Sequence, residues 1–162
     1  MKSVEKEFIK IIQEYERVIY KVCSIYVSEL LPMADLYQEV VHNLWVAYPK
    51  FRNESTISTW IYRVAINTCV TTIRKEKKHF QKSSIALSSI SGKLPVKESL
   101  TEDIKEMYRL INQLKTIEKT IVLLYLEEKP YKEISDITGL TVGNVATRMK
   151  RIREKLRKMS NN

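Results

Sequence analysis

The chain has 162 residues and a formal charge of +9, from 28 Lys and Arg against 19 Asp and Glu, and 44% of it is hydrophobic. That length holds one or two small domains, and that apolar content excludes wholesale disorder. Three Gly and four Pro are too few turn-formers for a many-stranded sandwich or barrel. No apolar run approaches the roughly 18 residues of a membrane span, and the mixed Lys and Glu of Met1 to Lys10 make no signal-peptide core. An all-α protein of the cytoplasm, with no direct membrane insertion, is expected.

In chain order, the first helix is predicted from about Ser3 to Leu30. Phe8, Ile11, Ile12, Tyr15, Ile19, Val22 and Tyr26 recur there at three- and four-residue steps. Pro32 punctuates, and a second helix follows with Leu36, Val40, Leu44 and Ala47 on one face. Asp35, Gln38 and Glu39, at i, i+3 and i+4, make a polar cluster on this helix, a pattern that fits a solvated face as well as an interface. After Pro49, a third helix is predicted from about Thr56 to Phe80, with Ile57, Trp60, Ile61, Val64, Ala65, Thr68 and Ile73 inward. It combines the aromatics Trp60 and Tyr62 with Arg63, Asn67 and a basic run from Arg74. A site for single-stranded DNA requires such a mixture, for stacking and for backbone attraction; a core helix with a basic tail shows it too.

From about Lys82 to Leu100 the helical stripe stops, and Ser83, Ser84, Ser88, Ser89, Ser91, Gly92 and Pro95 mark a linker. The expected layout is therefore a helical bundle over 1–81, a linker over 82–101 and a smaller helical domain over 102–162. In the latter, Ile104, Met107, Leu110, Ile111 and Leu114 mark a fourth helix. Ile117, Ile121, Leu124 and Tyr125 mark a fifth, and both stripes read as core.

Tyr131 to Lys158 carries the clearest pattern. A short helix, Tyr131 to Ile137, meets a turn at Gly139 and Leu140, and Thr141 caps a long helix. Gly139 suits the positive φ of a tight interhelical turn, and Thr141 can accept from the first free amides. Ile134, Ile137, Leu140 and Val145 are spaced to pin two crossed helices. This is a helix-turn-helix pattern. At about 100° per residue, Val145, Met149, Ile152 and Leu156 share one side. Gly143, Thr147, Lys150, Arg151 and Glu154 share the other, flanked by Asn144 and Arg148. Thr, Lys, Arg and Asn are the donors that reach base edges and phosphates in the major groove; an ordinary amphipathic helix with a charged outer face is the plainer alternative.

The charge is concentrated where these helices end. Ile73 to Lys82 has five basic residues and one acidic, Arg148 to Lys158 has seven and one, and the rest of the chain is close to neutral. Two separate basic patches point to a polyanion partner, although solvated helix faces would carry them as well. Cys23 and Cys69 lie in apolar surroundings and read as reduced core thiols, with a disulfide as the alternative and any redox role left open. His42 and His79 form no cluster with cysteines or carboxylates at metal-ligand spacing. No metal, cofactor, small-molecule substrate or covalent chemistry is expected, and the chain is not read as an enzyme.

In order, these pieces resemble the sigma factors of bacterial RNA polymerase, of the compact extracytoplasmic-function (ECF) type. The stretches that carry the resemblance run from Ala34 to Lys75 and from Tyr131 to Lys158. It implies that Asp35, Leu36, Gln38 and Glu39 dock on the clamp coiled coil of the polymerase core. It implies that Phe51 to Ser58, including Phe51, Arg52, Asn53 and Ser58, form the loop that captures a flipped base of the −10 strand. Trp60, Arg63, Asn67, Arg74 and Lys75 would then recognise and melt that element. Thr147, Lys150 and Arg151, with Thr141, Gly143, Asn144 and Arg148, would read the −35 duplex, while the linker threads toward the RNA exit path. The resemblance further implies an anti-sigma partner. Trp60 is followed by Ile61 and Tyr62, where primary sigma factors have adjacent tryptophans, and Thr71 stands where many relatives are acidic. Two other readings remain at this point: a stand-alone helix-turn-helix regulator with a helical sensor or dimerisation domain, and a helical adaptor that binds only protein.

Overall fold

The computed structural model describes residues 2–82 and 101–161. It separates into two compact units, Met1–Ser91 and Gly92–Asn162. The expected linker, 82–101, lies outside the described residues except at its two ends. Every regular element among the described residues is helical, so the all-α expectation holds.

The first unit contains α1 (Lys2–Glu14), α2 (Glu16–Tyr26), α3 (Met33–Ala47), a one-turn 3-10 helix (Tyr48–Lys50) and α4 (Ile57–Lys82). The single first helix expected from the sequence is corrected to two. Tyr15 adopts φ −103° and ψ 15° between them, yet its amide still reaches the Ile11 carbonyl at 3.0 Å and its own carbonyl still accepts from the Ile19 amide at 3.0 Å. The break thus falls at Tyr15 with that residue's own backbone bonds kept, and no Pro or Gly stands there to announce it. Helix α2 is buried through Ile19, Val22, Cys23, Ile25 and Tyr26, whereas α1 buries Phe8 alone.

Helices α2 and α3 both pack on α4, α3 burying Leu36, Val40 and Leu44 and α4 burying Ile61, Ala65, Ile66 and Cys69. A polar tie joins α3 to α4, from Asn43 Nδ2 to Thr68 Oγ1 at 3.0 Å, while the Thr68 hydroxyl donates back to the Val64 carbonyl at 2.7 Å. Before α3, Ser28 and Leu31 exchange backbone hydrogen bonds of 3.2 Å in both directions, a tight reversal that ends at Pro32, the residue preceding the helix.

The second unit contains α5 (Glu102–Asn112), α6 (Thr116–Leu126), α7 (Tyr131–Thr138) and α8 (Val142–Ser160). Its helix ends are capped, at Thr141 as the sequence proposed and at Thr101 and Lys115 as the structure adds. Thr101 accepts from the Ile104 amide at 3.4 Å and Thr141 from the Asn144 amide at 3.1 Å. Glu118 Oε1 reaches back to the Lys115 amide at 3.0 Å and also takes the Lys155 ammonium at 3.3 Å, tying α6 to α8. Gly139 ends α7 at φ +80°, a left-handed conformation that glycine reaches without a Cβ penalty. The core joins Ile111, Leu114, Ile121, Val122, Met149 and Ile152, with Ile134, Ile137 and Val145 buried at the α7–α8 crossing. Four residues of the two stripes read as core are corrected to surface: Ile104, Met107, Ile117 and Tyr125 are each 37–40% exposed.

Candidate nucleic-acid interface

Three exposed faces gather the candidate residues. On α3, Asp35, Gln38 and Glu39 are all exposed and fall on one side by their spacing. Leu36, grouped with them, is corrected: it is only 1% exposed and faces the core. It holds the helix while its neighbours present the polar surface. His42, Trp45 and Val46 continue that outer side as exposed residues.

The second face begins in the loop before α4. Arg52 and Asn53 are exposed there, and Phe51 and Ser58 half-buried. Asn53 sits at φ +57°, in the left-handed region that Asn tolerates better than most residues. Thr56 caps the start of α4, accepting from the Thr59 amide at 3.2 Å. Along the helix, Asn67, Thr71, Arg74, Lys75, Lys77 and Lys78 are exposed and Arg63 is half-buried. The 67–71–74–78 spacing makes one continuous stripe at helical period.

The two aromatics assigned to stacking lie elsewhere. Tyr62 is 2% exposed and Trp60 8%, so both rings belong to the core and neither presents a stacking surface. Trp60 supports the loop from within: its ring lies 4.9 Å from that of Phe51 at 34° and 6.2 Å from that of Tyr48 at 52°. Tyr48 in turn meets Phe8 at 5.5 Å, and Phe8 meets Trp45 at 5.0 Å. These spacings lie in the range where tilted aromatic pairs attract beyond simple burial. Burial, then a hydrogen bond to the Glu7 carboxylate, raises the Tyr48 pKa. That contact ties α1 to the 3-10 turn.

The third face is the outer side of α8. Gly143, Asn144, Thr147, Lys150 and Arg151 are exposed, opposite buried Val145, Met149 and Ile152. Thr141 is committed to its cap. Arg148 is half-buried, and its Nε donates to Asn144 Oδ1 at 2.6 Å. The two side chains one turn apart thus hold each other in a fixed orientation, which reduces the entropy lost when either meets a base or phosphate.

A fourth feature of the second unit escaped the sequence reading. Between α5, α6 and α8 lies an apolar groove of about 540 Å³, lined by Met107, Leu110, Val122, Leu126 and Leu156 among others, with Asp103, Glu106 and Arg157 also in its wall. The Arg153 guanidinium sits 5.1 Å over the Tyr125 ring beside it. Amphipathic stripes announce such a surface only as core, because periodicity marks an apolar side without saying what covers it. No cluster among the described residues could hold a metal ion, and no described helix is long and apolar enough to cross a membrane.

The chain matches the family model for Sigma-70 region 2 over residues 11–79 and that for Sigma-70 region 4 over residues 104–156. Relatives along nearly its whole length include the ECF RNA polymerase sigma factor SigW of Bacillus subtilis, 29% identical over 97% of this chain and 90% of SigW. The ECF RNA polymerase sigma-E factor of Escherichia coli K12 is also 29% identical, over 94% of this chain and 86% of its own. Among solved structures, the sigma factor RpoE of Bartonella quintana, in complex with the anti-sigma factor NepR, aligns with a TM-score of 0.79 at 17% identity, over 96% of this chain and 98% of that one. CnrH, in complex with the cytosolic domain of CnrY, aligns at 0.65 and 15% identity, over 97% and 89%. With region 2 matched on the three-helix core of the first unit and region 4 on the helix-turn-helix of the second, the chain belongs to the sigma-70 family of RNA polymerase sigma factors, as a member of the ECF type.

Proposed function

We propose that the three exposed faces divide the work of a sigma factor. The α3 face of Asp35, Gln38 and Glu39 docks the polymerase core. The 51–58 loop and the open stripe of α4 take the unpaired −10 strand, and the outer side of α8 reads the −35 duplex. The chain itself directs RNA polymerase to promoters, as its family does, and we place it in the cytoplasm, where polymerase works. The observation that carries the division is that each of the two short segments holding the excess positive charge directly follows exposed Asn and Thr donors on its helix, Asn67 and Thr71 on α4 and Asn144 and Thr147 on α8. The stand-alone regulator is not favoured, since the region 2 match occupies the half that reading left for a sensor.

Mechanistically, the chain supplies binding energy and geometry, with no covalent step. Once α8 is on the upstream duplex and α3 on the polymerase, the −10 strand is presented to α4 at high effective concentration. Flipping a base costs a few kcal/mol, and stacking returns about 1–3 kcal/mol per base. Phe51, half-buried and backed by Trp60, is the ring placed for it. Phosphate contacts from Arg74, Lys75, Lys150 and Arg151 should make affinity fall steeply with salt. We assign the apolar groove of the second unit to a helix of an anti-sigma partner, since a concave apolar surface with charged residues of both signs in its wall suits an amphipathic helix.

Run-off transcription with purified core polymerase tests the whole. Promoter-specific transcripts are expected with the wild-type chain. Gln38→Ala with Glu39→Ala should weaken holoenzyme assembly by about 2 kcal/mol, roughly thirtyfold in Kd. Both side chains are exposed, so the fold should change by less than about 0.5 kcal/mol. Assembly at wild-type affinity in a pull-down would remove α3 from the docking surface. Arg151→Ala should cost about 1–3 kcal/mol on one upstream sequence if it reads a base; equal loss on every sequence would leave it a phosphate contact.

A further inference from the structure

Where α3 packs on α4, the buried neighbours are apolar, Val40 and Leu44 on one helix and Ala65 and Cys69 on the other. Apolar contact is non-directional and leaves the roll of a helix about its own axis loosely fixed. Asn43 adds a directional bond there. Its Nδ2 lies 3.0 Å from Thr68 Oγ1, and that hydroxyl lies 2.7 Å from the Val64 carbonyl. A threonine hydroxyl has one proton; Thr68 gives it to Val64 and must therefore accept from the Asn43 amide. On α4, Asn67 and Thr71 stand exposed one residue before and three after Thr68. We propose that Asn43 is a positioning residue, acting through Thr68 to set the roll of α4 and so aim Asn67 and Thr71 at the bases of the −10 strand. This role rests on the reading of α4 as the strand-binding face.

The lever arm makes a small roll matter. Side chains end about 5–6 Å from a helix axis, so a roll of about 10° carries their tips about 1 Å. A recognising group has to be held to about 0.5 Å, so discrimination fails well before the apolar core opens. Rolling α4 carries Thr68 away from Asn43 and leaves a part-buried donor unpaired, which a core resists. A lone polar residue in an apolar helix contact fixes register in the same way, at some cost in stability. Thr72 makes the hydroxyl-to-carbonyl bond too, to Thr68 at 2.8 Å, but within α4; Thr68 adds the link to a second helix.

The test separates aim from stability. Asn43→Leu with Thr68→Val removes both partners together, a change that can leave stability nearly unaltered. Holoenzyme assembled from core polymerase and the full chain first selects a strand from a random pool of single-stranded DNA. That strand and its one-base variants are then titrated against wild-type and variant holoenzymes. Wild type should prefer the selected strand by about tenfold or more, and the double variant by about twofold or less at a near-normal urea midpoint. Thr68→Ser, which keeps the hydroxyl, should keep the preference even where its missing methyl lowers the midpoint, whereas Thr68→Val alone should lose it. A double variant that discriminates like wild type would reduce the tie to a structural contact. If the double variant is unstable, equal discrimination by Thr68→Ser and Thr68→Val overturns the role in its place. A wild-type holoenzyme with no preference among strands would remove α4 as the reading face, and the role of Asn43 with it.

Discussion

Ile152→Ala is expected to destabilise the second unit by about 3–4 kcal/mol, within the range for emptying a buried Ile site. Ile152 is 0% exposed and sits in one cluster with Ile111, Leu114, Ile121, Val122 and Met149, so α8 is held to α5 and α6 through it. A unit of about 60 residues has only about 3–9 kcal/mol in total, so this one truncation removes a large share. The functional consequence follows from position: the residue lies on the inner side of the helix whose outer side carries Thr147, Lys150 and Arg151. Affinity for −35 duplex should fall together with hydrogen-exchange protection over 134–152. Binding of single-stranded −10 oligonucleotide, which belongs to the first unit, should stay near wild type. A loss below about 1 kcal/mol in urea unfolding would mean that the cavity collapses and that α8 is anchored elsewhere.

The helix-turn-helix was legible because every local signal agreed. Gly139 takes the left-handed turn, Thr141 makes its cap, and Val145, Met149 and Ile152 are buried at helical period. Where the reading failed, the deciding contacts were tertiary. Helix α4 meets both α2 and α3, so its buried arc is wider than one stripe and takes in Tyr62 and Ile66 as well as Ile61 and Ala65. A stripe cannot announce that width, and it drew Tyr62 into a DNA-facing role. Helix α5 fails in the opposite sense: Ile111 is buried, while Ile104 and Met107, on the same apolar stripe, remain exposed. A unit this small lacks the elements to cover them. The polar candidates fared better, since charged and amide side chains at helix positions rarely go inside. Of the first cluster, only Leu36 turned inward.

Trp60 separates two accounts of the −10 face, and the expected result favours an internal support. Trp60→Ala should destabilise the first unit by about 3–5 kcal/mol, because the indole fills the space beneath Phe51 and Tyr48 and is nearly enclosed. Single-strand affinity should fall with it, since the loop carrying Arg52 and Asn53 loses the ring on which Phe51 rests. Trp60→Phe keeps an aromatic face under Phe51 and should cost roughly 1–2 kcal/mol of stability, with −10 strand affinity within about twofold of wild type. Phe51→Ala reverses the ratio: its ring is half-buried, so the stability loss should be modest while strand affinity drops by about 1–3 kcal/mol. If Trp60 itself stacked on a base, Trp60→Phe would weaken strand binding out of proportion to its effect on unfolding. Fluorescence-detected binding of a −10 oligonucleotide, set beside urea midpoints for the three variants, distinguishes a tryptophan that touches DNA from one that holds the residue that does.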